Sequence, residues 1–202
     1  KNIGEYKGGY IPHVIEITNY VDFENENEIF VEVDSTERED IPPFGGVIDY
    51  LTFGGIYRDV CLYELNKCFI ENILYKYEIS NINGKKGKVK VTPRILVNNE
   101  LEEGKYGLHI NINNINTITE IDVLKGANWY EADGFDIGEV DLWSIENPNL
   151  YTANCVLKKD QNILDESDIS LGFREVKIEN NGLFINREKV KISGLNRHQS
   201  YP

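Results

Sequence analysis

The sequence predicts an all-β protein, and three observations support that prediction. Apolar and polar residues alternate with a period of two through most of the 202 residues, as in strands that bury one face. No window of about 11 residues or more shows the apolar stripe of an amphipathic helix. Turn sequences such as Asn180-Asn181-Gly182 separate the apolar runs, at the spacing of β-sandwiches.

The predicted strands form two groups along the chain. Before about Lys67 there are only three, fewer than a sandwich needs; they cover residues 14–17, 29–33 and 56–65. After it, strands are predicted at 89–97, 106–112, 117–124, 151–157, 172–178, 183–185 and 190–192. Pro93 within the first of these suggests an edge strand or a bulge. The chain therefore reads as half a sandwich followed by a whole sandwich of immunoglobulin-like size.

Composition and charge exclude several classes of protein. Hydrophobic residues make up 41% and aromatic residues 11% of the chain, which is ordinary for a globular protein. A net charge of -13 opposes binding to nucleic acid or to anionic membranes. No stretch approaches the ~20 apolar residues of a membrane span, and no signal peptide follows Lys1. We therefore expect no nucleic-acid partner and no membrane partner.

The three cysteines, Cys61, Cys68 and Cys155, contain no CxxC pair. Their odd number and their spacing indicate neither a disulfide framework nor a zinc site. Cys61 and Cys155 lie in apolar runs and are predicted to be small core residues. This cysteine usage favours the cytoplasm as the compartment.

The last residues of the chain carry the strongest functional signal. An alternating apolar strand leads to Gly194, and Asn196, Arg197 and His198 follow before Pro202. These three side chains offer hydrogen-bond donors and a cation, as recognition of a polar ligand requires. The pattern fits either a binding tip on a small β protein or the first piece of an active site that lies mostly elsewhere.

The segment from Asp49 to Val60 is the richest internal motif. Gly54-Gly55 permits a tight or bulged backbone before a strand. Arg58 and Asp59 are neighbours, so in a strand they point to opposite faces and each needs another partner. We interpret them as structural residues that form domain-bridging ion pairs. Asp49, on a loop, is freer to contact a ligand or a cation.

The two tryptophans lie in different sequence contexts. Trp143 precedes a Pro turn that opens a strand, and we favour a packed residue anchoring that turn over an exposed ring that stacks on a sugar. Trp129 is placed in a loop beside Tyr130, with no assigned role.

The paired carboxylates at 102–103 and 165–166 are interpreted as solvated charges. The sequence contains no nucleophile elbow, P-loop or dinucleotide fingerprint.

Taken in order, five motifs resemble glycoside hydrolase family 2, most closely the bacterial β-galactosidases. The motifs are Gly9-Tyr10-Ile11-Pro12 with Glu16-Ile17-Thr18, Gly54-Gly55-Ile56-Tyr57-Arg58-Asp59-Val60, Trp143-Ser144-Ile145-Glu146-Asn147-Pro148-Asn149-Leu150-Tyr151, Gly172-Phe173-Arg174 and Gly194-Leu195-Asn196-Arg197-His198. The resemblance covers essentially the whole chain. It implies that residues 1–66 are the C-terminal part of a jelly-roll sugar-binding domain and that 67–190 are an immunoglobulin-like sandwich. Residues 191–202 would then be the start of a (β/α)8 barrel.

The same resemblance implies retaining glycoside hydrolysis, in which one Glu protonates the leaving oxygen and a second attacks the anomeric carbon. Both Glu lie in the barrel beyond Pro202, so no catalytic residue is expected in this chain and the chain alone is expected to be inactive. In the intact enzyme the resemblance assigns substrate binding to His198, Asn196 and Asp49. Gln199 stands where many members have Glu.

The family resemblance also implies structural roles, ions and partners. Arg58, Asp59 and Trp143 are expected to be structural. Magnesium and sodium ions are expected in the parent enzyme, with Asp49 as a sodium contact, and no cofactor is expected in this chain itself. The expected partners are a β-galactoside bound by the parent enzyme, the barrel domain and a second copy in a homo-oligomer.

Two other functions compete with an accessory region of a β-galactosidase-type enzyme. One is a free-standing carbohydrate-binding β-sandwich module, and the other is an immunoglobulin-like interaction protein. A binding module is expected to present an aromatic platform for sugar stacking and a complete sandwich.

Overall fold

A computed structural model describes residues 1–36, 38–41 and 53–197. Its contacts divide the chain into two units, Lys1–Leu62 with Gly194–Pro202 and Tyr63–Ser193, and each is described by itself. The described residues form eleven β-strands and one short 3-10 helix, and no α-helix. The all-β prediction is therefore confirmed. The assignment of the segments to a jelly roll, an immunoglobulin-like domain and a barrel strand stays a prediction.

All eleven strands belong to the second unit. They are β1 (Cys68–Asn83), β2 (Lys86–Asn99), β3 (Gly104–Ile112), β4 (Ile115–Val123), β5 (Gly126–Glu131), β6 (Phe135–Asp141), β7 (Tyr151–Lys159), β8 (Asn162–Leu171), β9 (Val176–Glu179), β10 (Gly182–Ile185) and β11 (Glu188–Val190). β1 pairs with β2, and β2 pairs with both β5 and β6, in what we call sheet A. Sheet B has the order β4-β3-β7-β8, and the terminal sheet has the order β11-β10-β9. Every pairing is antiparallel.

The hydrophobic core is built from one face of sheet A and one face of sheet B. Along β2 and β3 every second residue is buried, which is the alternation that the sequence shows. Val91 and Ile95 of β2 and Leu108 and Leu157 of sheet B are completely shielded from solvent. Each such side chain contributes about 1.5–3 kcal/mol through removal of apolar surface from water.

Pro93 lies in a central strand, so the suggestion of an edge strand or a bulge is wrong. β2 pairs with β1 on one side along nearly its whole length, with Pro93 opposite Tyr75. On the other side β5 pairs with residues 94–99 and β6 with residues 86–91. Pro93 falls between these two partners and its carbonyl accepts a hydrogen bond from Ala132 N (3.0 Å). Because a residue's N–H and C=O face the same neighbour in an antiparallel ladder, the missing N–H falls where β2 changes partner.

Two-residue turns close five hairpins, and three of these turns contain asparagine. Asn180-Asn181 connects β9 to β10, where Glu179 pairs with Gly182, so the predicted turn is confirmed. Asn186-Arg187 connects β10 to β11, as predicted, and both residues have positive φ angles of 50° and 70°. The turn between β3 and β4 has the same form. Positive φ at both turn positions matches the right-handed twist of the paired strands, and Asn tolerates it better than most residues.

The three strands predicted before Lys67 are absent: residues 14–17, 29–33 and 56–65 have no strand assignment. Their apolar side chains are instead exposed, with Phe30 at 87% and Val14 at 84%. Alternation is a property of one segment, whereas a strand also needs a second segment to take up its backbone hydrogen bonds. No described residue pairs with these runs.

The first unit is held by local polar contacts. Tyr6 Oη donates to the Val14 carbonyl (2.8 Å), and the His13 ring lies 4.9 Å from the Tyr6 ring. Among its described residues the one regular element is the 3-10 helix Thr18–Tyr20. No helix in the described part of the chain has the length and hydrophobicity needed to cross a membrane.

Candidate functional site

Two of the three predicted substrate contacts, Asp49 and His198, lie outside the described residues, as does Gln199. Asn196 and Arg197 are described and are exposed to solvent. The described residues therefore do not test the predicted binding set, and the assigned roles stay predictions. Asn196 follows the terminal sheet in the chain, so its position depends on how that sheet is attached to the sandwich.

Asn186 anchors the terminal sheet to the sandwich. Its side chain is only 6% exposed, and its Oδ1 accepts a hydrogen bond from Glu175 N (3.0 Å). Its Nδ2 donates to the Trp143 carbonyl (3.0 Å), and its backbone N–H donates to the Glu175 carbonyl (2.8 Å). One turn residue thus joins three segments: the β10–β11 turn, the residues before β9, and the loop after β6.

Trp143 packs at the same place. Trp143 N donates to the Phe173 carbonyl (2.8 Å), and the Arg174 guanidinium lies 4.7 Å from the centre of the indole. A Cβ on Gly172 would lie 3.0 Å from Trp143 Cδ1, so glycine allows this close approach. Two motifs about 30 residues apart in the sequence therefore form one cluster, with the indole half-buried in it.

Phe173 forms the apolar base of this cluster. It is completely buried, with the Tyr77 ring edge-on at 5.2 Å and the Tyr151 ring at 5.6 Å. Tyr77 Oη donates to the Arg174 carbonyl (3.1 Å), so the ring that packs on Phe173 also satisfies the next peptide group. Nearby, Glu175 forms ion pairs with Lys177 (2.9 Å) and Arg187 (3.7 Å). These contacts fix the backbone that enters the terminal sheet.

Arg58 and Asp59 are both exposed. The Arg58 guanidinium lies 5.6 Å from the centre of the Tyr57 ring. Within the described ranges, neither residue has an oppositely charged group within 4.0 Å. The prediction that they form domain-bridging ion pairs remains a prediction.

The cysteines differ from their predicted placement in one case. Cys155 is buried as predicted, but Cys61 is exposed, because its apolar run forms no strand. Burial raises the pKa of Cys68 to about 11 and that of Cys155 to about 12. These two residues are therefore neutral core thiols at pH 7 and not nucleophiles. The described residues contain no group of three or more His, Cys, Asp or Glu side chains arranged for a metal ion.

Sequence reasoning missed a polar cavity on the outer face of sheet A. Its volume is about 280 Å3, and it is lined by Lys76, Tyr77, Glu78, Lys90, Thr92 and Glu131. The sequence feature that could have revealed this cavity is the alternation in β1 and β2. Once the register of the two strands is known, their polar positions lie on one face of the sheet. Trp129, predicted to lie in a loop, is on β5 opposite Leu96 and belongs to this same face.

The two carboxylates of this cavity do not resemble a glycosidase pair. A retaining enzyme needs one carboxylic acid that keeps its proton in a sheltered, apolar setting, beside a second carboxylate. Glu131 instead has a side chain that is 59% exposed and lies 3.9 Å from Lys76 Nζ. Glu78 pairs in register with Lys90. This arrangement suits hydrogen bonding to a ligand rather than acid catalysis.

Comparison with known proteins identifies the family. Residues 68–174 match the family model for glycosyl hydrolases family 2. This chain belongs to glycoside hydrolase family 2. It is 40% identical to the β-galactosidase of Thermoanaerobacterium thermosulfurigenes over 215 residues, which cover 99% of this chain and 28% of that relative. It is 28% identical to the β-glucuronidase of Bacteroides fragilis, over 98% of this chain and 30% of that protein.

Solved structures of the family share the fold. A crystal structure of Bacteroides uniformis β-glucuronidase superposes with a TM-score of 0.75 at 24% identity, covering 98% of this chain and 25% of that one. This family 2 chain thus corresponds to a region of β-galactosidase- and β-glucuronidase-type enzymes. It spans 28% of the length of the Thermoanaerobacterium thermosulfurigenes β-galactosidase and 27% of that of the Thermoanaerobacter pseudethanolicus β-galactosidase, to which it is 34% identical.

Proposed function

We propose that this chain is a non-catalytic accessory region of a retaining β-galactosidase-type glycoside hydrolase. The observation that carries the proposal is the 40% identity to a β-galactosidase across 99% of this chain but 28% of that relative. The remainder of such a relative has room for a barrel that supplies the acid and the nucleophile. This coverage favours an accessory region over a free-standing binding module or an immunoglobulin-like interaction protein.

In this proposal the sandwich supports the residues that contact substrate. Asn196 and His198 bind hydroxyl groups of the galactosyl ring in the parent enzyme, as an amide and an imidazole are equipped to do. Asp49 contacts the sugar and a sodium ion, since hard cations prefer carboxylate and other oxygen ligands. Magnesium is proposed for the parent enzyme as well, and no cofactor is assigned to this chain. The barrel domain and a second copy of the enzyme are the proposed partners, and the cytoplasm the proposed compartment.

The test compares the full-length parent enzyme with this chain alone on a chromogenic β-galactoside. We expect turnover by the parent enzyme and none above buffer by the 202-residue chain. In the parent enzyme, His198→Ala should lower kcat by about 100-fold or more while the Tm stays within a few degrees, because the residue acts on the substrate and not on the fold.

Lys191→Ala, at an exposed position of the same terminal segment, is the control and should leave kcat unchanged. Turnover by the clean chain would refute the non-catalytic assignment. A parent enzyme that is inactive on β-galactosides would refute the substrate class. An unchanged kcat in His198→Ala would remove that residue from the binding set.

A further inference from the structure

The outer face of sheet A exposes a tryptophan, Trp129, that is not part of the hydrophobic core. The inner face of this sheet supplies the buried residues of β2, whereas Trp129 of β5 is 38% exposed on the opposite face. The Arg94 guanidinium lies 4.9 Å from the centre of the indole and holds the ring in place by a cation–π contact. Leu96, opposite Trp129, and Leu74, opposite Arg94, complete a small apolar platform.

The polar cavity continues directly from this platform. Glu131 lines the cavity and is two residues from Trp129 on the same face of β5, a separation of about 7 Å. It is also in register with Arg94, the residue that contacts the indole. An aromatic ring and a wall of hydrogen-bonding side chains therefore lie within the length of one disaccharide.

The charges of the cavity favour an uncharged, hydroxyl-rich ligand. Its walls carry two ammonium groups, two carboxylates and the hydroxyl of Thr92, so its formal charge is balanced. Lys76 Nζ and Glu131 Oε2 are 3.9 Å apart, which is too far for a direct hydrogen bond. Both groups therefore keep hydrogen-bonding capacity for a ligand. Sugar hydroxyls, which donate and accept at once, match such a mixed wall of donors and acceptors.

We propose that the outer face of sheet A binds a neutral oligosaccharide. One pyranose ring stacks on Trp129, and hydroxyls of the adjoining ring bond to Lys76, Glu131 and Thr92. The apolar face of a pyranose and the indole ring are complementary surfaces, and Tyr and Trp serve in this way where one side is apolar and the other wet. The inference concerns binding by the sandwich and does not depend on the proposed hydrolytic function of the parent enzyme.

The experiment titrates the 202-residue chain with lactose by calorimetry and by tryptophan fluorescence. We expect saturable binding with a Kd on the order of 1 mM, and a change in indole emission as the ring is covered. Trp129→Ala should weaken lactose binding by about tenfold or more through loss of the stacking surface. Galactose should bind more tightly than galacturonate, since a balanced cavity gains nothing from an added negative charge.

Glu131→Gln and Glu139→Gln form a matched pair. Both glutamates lie on sheet A and each has a lysine ammonium at 3.9 Å, but only Glu131 lines the cavity. We expect Glu131→Gln to weaken lactose binding several-fold and Glu139→Gln to leave it unchanged, with folding of every variant checked by circular dichroism. Absence of saturable lactose binding would overturn the proposal. So would equal affinity in wild type and Glu131→Gln, equal effects of the two glutamine variants, or tighter binding of galacturonate.

Discussion

Two tyrosines that pack in the sandwich differ in whether the hydroxyl has a partner. Tyr106 is 1% exposed, and its Oη donates to the Glu102 carbonyl (2.7 Å). The Oη of Tyr75 is shielded from solvent and has no hydrogen-bond partner among the described residues. Burial raises the pKa of Tyr75, so its hydroxyl stays protonated and carries an unused donor. A buried polar group without a partner costs free energy that an apolar group of the same shape does not.

Tyr75→Phe should therefore leave the free energy of unfolding unchanged or raise it by about 1 kcal/mol. Tyr106→Phe is the control and should lower it by about 1 kcal/mol, since it removes a made hydrogen bond and leaves a carbonyl with one partner fewer. Urea unfolding of the 202-residue chain and its two variants gives both values. Equal destabilisation by the two substitutions would show that Tyr75 Oη has a partner.

The turn between β10 and β11 attaches the terminal sheet to the sandwich through one residue. Asn186 combines a positive φ of 50° with three hydrogen bonds to Glu175 and Trp143. Asparagine is suited to both tasks, because its short amide tolerates the left-handed region and offers a donor and an acceptor. The terminal sheet is only three short strands, so it depends on this attachment more than on a core of its own.

Asn186→Ala should lower the free energy of unfolding by about 2–4 kcal/mol, because it leaves the Glu175 N–H and the Trp143 carbonyl without partners and puts a Cβ at positive φ. Asn186→Gly removes the same hydrogen bonds without the backbone strain, so it should cost about 1 kcal/mol less. Urea unfolding measures both. Hydrogen exchange should also show the β10 and β11 amides losing protection in Asn186→Ala before those of β3. Wild-type stability in Asn186→Ala would mean that the amide does not anchor the sheet.

Alternation in the sequence located the sandwich strands in which every second residue is buried, and turn residues located the terminal hairpins; the other strands were not found. β2, β3, β4 and β7 contain the regular buried positions that a period of two reveals. β1, β5, β6 and β8 were missed. A bulge between Ile70 and Asn72 shifts the phase of β1, β5 is short with no buried residue, and β8 has only partly buried positions. The pattern also indicated three strands before Lys67 that have no partner among the described residues.

The candidate sites show the same limit. The sequence displayed Trp143 and Gly172-Phe173-Arg174 as separate motifs, and only the fold shows that they touch. The sequence placed Trp129 in a loop, because no local feature of β5 indicates that it pairs with residues 94–99 of β2. Residue types that suit a ligand can be recognised from sequence, whereas their convergence depends on strand register.

Buried residues are distributed very unevenly along the chain. The fully buried hydrophobic side chains of the described residues run from Cys68 to Phe173, all within the unit Tyr63–Ser193. The described part of the other unit contributes none, and its contacts are mainly short-range hydrogen bonds and exposed ion pairs. Exposed ion pairs of this kind contribute little, typically about 0–1 kcal/mol. Resistance to local opening should therefore differ sharply between the two units.

Limited trypsin digestion should accordingly cut first after Lys7, Arg38 or Arg58, which are exposed and outside any strand. Lys88 and Lys90 are also exposed, but their peptide groups are bonded on both sides within sheet A, so cleavage there requires the sandwich to open. Mass spectrometry should show a lasting fragment that begins after Arg58 and keeps β1 through β8. The same digestion in unfolding urea is the control, and there the β2 sites should be cut as fast as the others. A protease can reach β2 only after the apolar contacts between sheet A and sheet B are lost. Early cleavage within β2 under native conditions would therefore show that the sandwich is not the stable unit.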